Sequence, residues 1–468
     1  MTEASRLVRT AMRHCERWLD ALGERPVAPP VDDDELARAF DDDLPAEPAD
    51  VHAVVDDLAA RADAGLVASP GPRYFGFVTG GAHPAALAAD WLTSAWDQVA
   101  TSYAGAPAAA VIEDVTARWL LELLDLPRTS SVGFTTGATT ANLTALAAAR
   151  RAVLLRVGWD LDDQGLAGAP PVHVVAGEQR HSTIDGVLRL LGIGAADVTV
   201  VPVDDQGRVL ADAFAAALDA RPGPALAIAQ CGNVATGAFD PIEDVARAAA
   251  KRGAWLHVDG AFGLWARAAR GLRHATRGVE AADSWAVDAH KWLNVPYDCG
   301  FVVVRDADAH EAVVRKGGSY AMTAPRGRRD GSHWVPEFSR RARAIPVYAV
   351  LRALGRSGVD ELVTRCCRLA RRFARAVAHD PGVEVLNDVV LNQVLLAFPC
   401  DGDERRHAAR VIRAVHADGT FWAGSTEWNG RLCMRVSVSN WSTTEADVDR
   451  SAERLLAIVA EAREHDVS

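Results

Sequence analysis

Between residues 130 and 305 the chain alternates short apolar, β-branched runs with Ala- and Leu-rich helical stretches. This rhythm restricts the fold more than any other feature of the sequence. Seven runs qualify: SVGFTT (131–136), VHVVA (172–176), VTVVPV (198–203), ALAIAQ (225–230), WLHVD (255–259), SWAVDA (284–289) and GFVVVR (300–305). A strand with one solvated face alternates apolar and polar residues, whereas these runs are apolar almost throughout, as strands buried on both faces must be. With helices between them, they specify an α/β fold built on a mainly parallel seven-stranded sheet. Ligands in such folds gather at the carboxyl ends of the strands, so the residues just beyond each run are the ones that matter.

The flanks follow other patterns. Residues 1–78 read as a helical segment punctuated by RPVAPP and ASPGPR. Residues 79–350 make the large domain. Residues 351–468 make a small α+β C-terminal domain, with VEVLNDVVLNQVLLAF and LCMRVSV as its strand-bearing parts and EADVDRSAERLLAIVAEAREH as its last helix. The stretch around 305–345 is rich in Gly and Arg with little apolar pattern, and a loop of that length inside a compact chain is usually functional or mobile.

Charge and cysteine content narrow the partners. Fifty Lys and Arg against 62 Asp and Glu leave a net charge of −12, which disfavours a phosphate-backbone partner, so no nucleic acid is expected. Seven cysteines, an odd number without a CxxC, suit the reduced thiols of a cytoplasmic protein. The N-terminus is charged and amphipathic, unlike a signal peptide. No apolar run approaches the roughly 18 residues of a membrane span. A soluble cytoplasmic protein with no membrane partner and no metal is expected.

Four segments carry chemistry. In GFTTGATTANLTALAAAR (133–150) a strand passes into a helix through Thr135, Thr136, Gly137, Ala138, Thr139 and Thr140. Free N–H groups at a helix start, beside hydroxyls, suit a phosphate; a threonine cap on an ordinary helix gives the same pattern. In AWLHVDGAFG (254–263), His257 and Asp259 share one face near a strand end. A buried carboxylate needs a partner. A ring nitrogen that must stay protonated would be one, with Gly260 admitting a planar ligand; a cap on the following helix is the other reading. His181 follows the run 172–176 and precedes a helix capped by Ser182 or Thr183, where structural and catalytic roles are both open. Lastly, DSWAVDAHKWLNVPYDCG (283–300) places Lys291, a four-carbon cation, between tryptophan-containing segments. An amine there, preceded by His290, could form a Schiff base with a carbonyl cofactor. A phosphate turn, a carboxylate for a ring nitrogen and a Schiff-base lysine together describe a site for pyridoxal 5'-phosphate (PLP).

HVDGAFG, DAHKWLNVPYDCG, GFTTGATTANLTALAAAR and GAFDPI (237–242) resemble the group II PLP-dependent amino-acid decarboxylases, which include aromatic-L-amino-acid and glutamate decarboxylases. The resemblance extends over almost the whole chain, through YFGFVTGGAHPAALAADWL (74–92), APAAAVIEDV (106–115) and RRARAIPVYAVLRALG (340–355). It implies the fold-type I architecture of aspartate aminotransferases and a homodimer with active sites at the subunit interface. By that resemblance Lys291 carries the cofactor, Asp259 pairs with the pyridinium, His181 stacks on the ring and Ala261 packs on its opposite face. Ala138, Thr139 and His290 contact the phosphate, with Asp288 nearby. The upstream block supplies Phe77, Val78 and Gly80 as substrate contacts, with Tyr103 further on. Because that block is aromatic and has only Arg73 as a cation, an aromatic or apolar amino acid is favoured over glutamate. The implied reaction is decarboxylation through a Lys291 Schiff base and a quinonoid, giving an amine and carbon dioxide.

Two departures stand out. Where the family commonly has a Thr-rich GTT before the GAFD-like turn, Gly232 is followed by Asn233, Val234 and Ala235. Aromatic decarboxylases also carry a proton-donating tyrosine in a loop resembling DYRHW. Here the chain reads Asp330, Gly331, Ser332, His333, Trp334, so Gly331 takes the tyrosine's place. His333 or Tyr320 would then donate the proton. Without a donor, oxygen or an electrophile diverts the intermediate to an aldehyde or a carbon–carbon bond. A non-catalytic PLP-binding regulator is a further alternative. Such regulators usually carry a basic DNA-binding module, which residues 1–70 do not show.

Overall fold

The structure is a computed structural model that describes residues 2–29, 31, 33–315 and 328–467. In chain order its strands are β1 (Tyr74–Phe75), β2 (Ser131–Thr135), β3 (His173–Gly177), β4 (Val198–Val201), β5 (Ala225–Gln230) and β6 (Trp255–Asp259). They continue with β7 (Ser284–Asp288), β8 (Gly300–Val304), β9 (Glu384–Val385), β10 (Gln393–Ala397), β11 (Trp422–Trp428) and β12 (Arg431–Ser437). The seven apolar runs are the seven strands of one sheet, ordered β2-β8-β7-β6-β5-β3-β4.

Neighbours β3 and β4, β3 and β5, β5 and β6, and β6 and β7 are parallel, while β8 is antiparallel to both β7 and β2. The reversal follows from the short link between Asp288 and Gly300, which has no room for the crossover helix that a parallel return needs. All the strands except β8 therefore end on one side. Thr135, Gly177, Gln230, Asp259 and Asp288 collect there, joined by Gly300 at the start of β8.

One face of this sheet is covered by the helix Ala138–Leu155, whose Ala141, Ala145, Leu146, Ala149 and Val153 pack on Val174, Leu226, Trp255 and Val302. Alanine favours the helix and lets it lie close to the strands. Each fully buried Leu, Ile or Val contributes about 1.5–3 kcal/mol of transfer free energy.

The free edge of the sheet, β2, is closed by the segment after residue 328. Arg329 donates to the Val132 carbonyl at 2.6 Å, and Arg340 donates to Ala100 O at 2.7 Å and to the buried Glu113 at 2.8 Å. An uncovered edge would invite pairing with another chain. Gly331 sits directly under Arg340: a Cβ there would overlap the guanidinium and approach Ala100 O to 2.6 Å.

The chain divides into two compact units. One comprises residues 80–370 with 387–393 and holds the seven-stranded sheet; the other comprises residues 1–79, 371–386 and 394–468. The second is organised by a sheet of order β1-β11-β12-β10-β9, where β1 joins β11 in parallel with Tyr74 opposite Trp422. Tyr74 stacks on Trp422 at 5.1 Å, and Phe75 packs with Phe373 and Phe421. In this unit Arg73 is buried and donates to Thr420 O at 2.7 Å and Gly23 O at 2.8 Å. The one cation of the upstream block is thus committed to main-chain carbonyls and to Asp447, whose Oδ1 lies 3.4 Å away.

Candidate active site

After β7 the chain turns sharply to present Lys291. The amides of Ala289 and His290 both donate to Cys299 O at 3.0 Å, and the Asn294 N–H donates to Lys291 O at 3.2 Å. Asn294 has φ 57°, in the left-handed region that asparagine tolerates better than most residues. On the other side lies Gly80, where any Cβ would overlap the Lys291 carbonyl and come within 2.8 Å of the Asn294 amide. A backbone clash cannot be relieved by a rotamer change. Gly80→Ala is therefore expected to cost about 1–3 kcal/mol, read as a lower melting temperature, with Lys291 displaced. An unchanged melting temperature and unchanged cofactor binding would refute this account of the turn.

The Lys291 Nζ lies 3.0 Å from Asp288 Oδ2. The other oxygen of Asp288 accepts the Ala138 N–H at 2.6 Å and has His290 Nε2 at 3.6 Å. This carboxylate therefore meets the positive start of the helix Ala138–Leu155 and the lysine together. Gly137 has no side chain to cap that helix, and a Cβ on it would crowd Asp288 and His290 at 3.2 Å. Burial lowers the His290 pKa, against the pull of Asp288.

Asp259 closes β6 and is buried; among the described residues its carboxylate takes one hydrogen bond, from the Ala261 N–H at 3.2 Å. Burial pushes this carboxyl above its ordinary value, while Lys291 and His181 pull the other way. His181 precedes the helix Ser182–Leu190 and caps it: Nδ1 accepts the Thr183 N–H at 3.3 Å and meets Thr183 Oγ1 at 2.7 Å. With Nδ1 acting as acceptor, the proton of the neutral ring belongs on Nε2. His257, the other polar residue of the HVD run, is structural. It is buried between Ser284 Oγ at 2.9 Å and Asn142 Oδ1 at 2.7 Å, with its pKa pushed down to about 3 by burial.

These groups meet around one cavity of about 340 Å³. Ala138, Thr139, His181, Asp259, Ala261, Asp288, His290 and Lys291 all line it, so the eight residues the sequence assigned to a cofactor are gathered in one place. Gln230, Gly232, Val234 and Phe262 line it as well and had not been singled out as contacts; Gly232 and Val234 belong to the stretch that departs from the family's GTT, while Gln230 and Phe262 carry no sequence signal but position, at or just past the end of a strand.

The substrate and proton-donor candidates are not gathered in the same way. Gly80 backs the lysine turn, whereas Phe77 and Val78 fall in the other compact unit, Phe77 exposed beside Trp422 and Val78 buried. Tyr103 is not among the lining residues: its N–H donates to Asp330 Oδ1 at 2.8 Å, and Arg328 lies over its ring. His333 does not line the cavity either, and its Nδ1 is 3.4 Å from Glu311 Oε1. Tyr320 lies outside the described residues.

The chemistry of the lining fits PLP. Among the described residues the buried Asp259 carboxylate takes a single hydrogen bond and has no ion-pair partner in contact, a place that a protonated pyridine nitrogen would fill. An amine stands nearby for the carbonyl, and the helix start, without a side chain on Gly137 and with its Ala138 N–H donated to Asp288, lines the same cavity where a phosphate would sit.

Comparison with known proteins agrees. Residues 34–398 match the pyridoxal-dependent decarboxylase conserved domain. The chain is 29% identical to 4-hydroxyphenylacetaldehyde synthase of Rhodiola rosea, covering 96% of this chain and 93% of that one. It is also 29% identical to tryptophan decarboxylase 1 of Oryza sativa subsp. japonica, covering 94% and 90%. Against aromatic-L-amino-acid decarboxylase of Bos taurus the identity is 26%, covering 95% and 93%. Among solved structures, Oryza sativa TDC with PLP and tryptamine shares the fold with a TM-score of 0.92, at 24% identity over 98% of each chain. With the conserved domain spanning most of its length, the chain belongs to the pyridoxal-dependent decarboxylase family and is a PLP-dependent carboxy-lyase.

Proposed function

We propose that this enzyme removes carbon dioxide from an L-amino acid with an aromatic or other apolar side chain and releases the amine. The observation that carries the reading is the meeting of Lys291, Asp259, His181 and the Ala138 helix start around one cavity. When bound, PLP supplies an electron sink for the pair left as carbon dioxide departs. Lys291 would hold its carbonyl carbon, and Asp259 would keep a proton on its ring nitrogen. His181, fixed by Thr183, would pack on one ring face and Ala261 on the other. The main chain at Ala138 and Thr139, with His290, would hold the phosphate.

Several features support the choice of substrate. Among the described residues the cavity is lined by no arginine, so nothing there offers a side-chain carboxylate the bidentate partner it would want. Val234 and Phe262 give the lining an apolar part. Relatives named for tryptophan and for aromatic amino acids point the same way. We take the working form to be a homodimer with shared active sites, as the family resemblance implies. We place it in the cytoplasm, which seven free cysteines suit. No described helix is long and apolar enough to cross a membrane.

A second reading has a specific basis. The former α-carbon needs a proton from a donor within ~3 Å or one water away. Gly331 has no side chain and no space for one, and His333 is engaged with Glu311. If no other group donates, dioxygen would take the two electrons and leave as hydrogen peroxide, and water would release the carbon skeleton as an aldehyde with ammonia; aldehydes are the products for which the relatives from Rhodiola rosea and Arabidopsis thaliana are named. The test is a screen of the PLP-loaded protein against the common amino acids, followed by stoichiometry under air and under nitrogen. We expect one mole of amine per mole of carbon dioxide, independent of oxygen. Aldehyde and peroxide matching the carbon dioxide would replace the first reading by the second.

A further inference from the structure

We propose that Gln230 is a cofactor-binding residue, whose side-chain amide donates a hydrogen bond to the ring hydroxyl of bound PLP. The inference rests on the site reading above and goes beyond it, because neither the motifs nor the resemblance assigns Gln230 a role. Gln230 is the last residue of β5 and stands in register with Asp259 on the adjacent parallel strand β6. Side chains in register on neighbouring parallel strands point to the same face, and both residues line the same cavity. The glutamine is one methylene longer, so its amide reaches beyond the Asp259 carboxylate.

Its backbone is firmly held, while its amide is not used. Asp240, itself buried, accepts the Gln230 N–H at 2.7 Å, donates its own N–H to Gln230 O at 3.1 Å, and accepts the Val209 N–H at 3.0 Å. Among the described residues the Gln230 side chain makes no hydrogen bond, although it is only partly exposed. In the stretch that follows, Gly232 has no side chain, Val234 is apolar, and Asn233 is engaged at both ends of its amide: Oδ1 accepts from the N–H groups of Ala235 at 2.8 Å and Thr236 at 3.1 Å, and Nδ2 donates to Gln179 O at 3.4 Å.

The sheet order then says which edge of the ring Gln230 meets. β5 lies on one side of β6; β7 and the segment bearing Lys291 lie on the other, next to the helix start at Ala138. In PLP the phosphate arm and the hydroxyl sit on opposite sides of the line from ring nitrogen to carbonyl carbon. A ring fixed by its nitrogen at Asp259 and by its phosphate at the helix start turns the hydroxyl edge toward β5. The free amide is on that side.

The test compares the binding of PLP and of its 3-deoxy analogue by wild type, Gln230→Leu and the near-isosteric Gln230→Met. No turnover is involved. Wild type should prefer PLP by about tenfold, the effect of one hydrogen bond to an ionised oxygen. Both variants should lose that preference while binding the analogue as wild type does and melting at the same temperature. The bound cofactor's absorption should also shift toward the form with a protonated hydroxyl. A variant that keeps the preference, or that weakens both ligands equally, overturns the proposal. Failure of wild type to attach PLP at Lys291 would instead overturn the reading of the site on which the proposal rests.

Discussion

Lys291→Ala is expected to lower turnover by at least about 10⁴-fold, the upper end of what a proton-transferring group contributes, and to abolish covalent attachment of the cofactor. In wild type, borohydride should fix PLP on Lys291 and peptide mapping should recover the label there. The alanine variant removes the only lysine that lines the cavity among the described residues and also leaves the buried Asp288 without its 3.0 Å partner. A loss of activity could then be confused with a loss of structure. Lys291→Arg separates the two: it keeps a cation beside Asp288 but cannot form the covalent link. It should fold as wild type does and still be inactive. Label recovered on another lysine, or an arginine variant that turns over, would remove the central assignment.

The second large effect is expected at Asp259, and it has two signs. Asp259→Asn should lower turnover by about 10²–10³-fold, the typical loss when a preorganised charge-stabilising group is removed, because an amide cannot hold the ring nitrogen's charge. The apoprotein should nonetheless be as stable as wild type or more so. Burial raises the folded-state pKa of Asp259 above its ordinary value. As pH rises past about 4 the unfolded chain therefore gives up this proton first, and folding stability falls across that interval. Asparagine has no proton to lose and avoids the penalty. A residue that merely caps the Ala261 amide would behave in the reverse way, with near-wild-type turnover and a lower melting temperature. Parallel kinetics and apoprotein melts at neutral pH decide between them.

How legible each feature was follows from its physical cause. The seven strands could be found because burial on both faces leaves little place for polar residues: Val258, Val287 and Val302 are all fully enclosed. The direction of β8 was harder to read, because it depends on the length of a turn and not on periodicity. The strand β1 was missed within a segment read as helical, since Tyr74 and Phe75 are too few to show a period and find their partner in Trp422, near the other end of the chain. Within the site, Lys291 and Asp259 stood out because a buried charge is costly and needs a reason. Gln230 did not, because a neutral amide at a strand end costs little and attracts no suspicion. Tyr103 and His333 could be named but not placed: the contacts that hold them, Asp330 for one and Glu311 for the other, join segments whose proximity no spacing encodes.

Asp288 has one more consequence, for which substitutions this corner tolerates. Its two oxygens meet the helix start at Ala138 and the amine of Lys291. One carboxylate thus serves two separate pieces of the fold, and both would lose their anion together if it were replaced by an apolar residue. Asparagine would keep an acceptor for the Ala138 amide while leaving the amine without a counter-charge, so a single substitution separates the two duties.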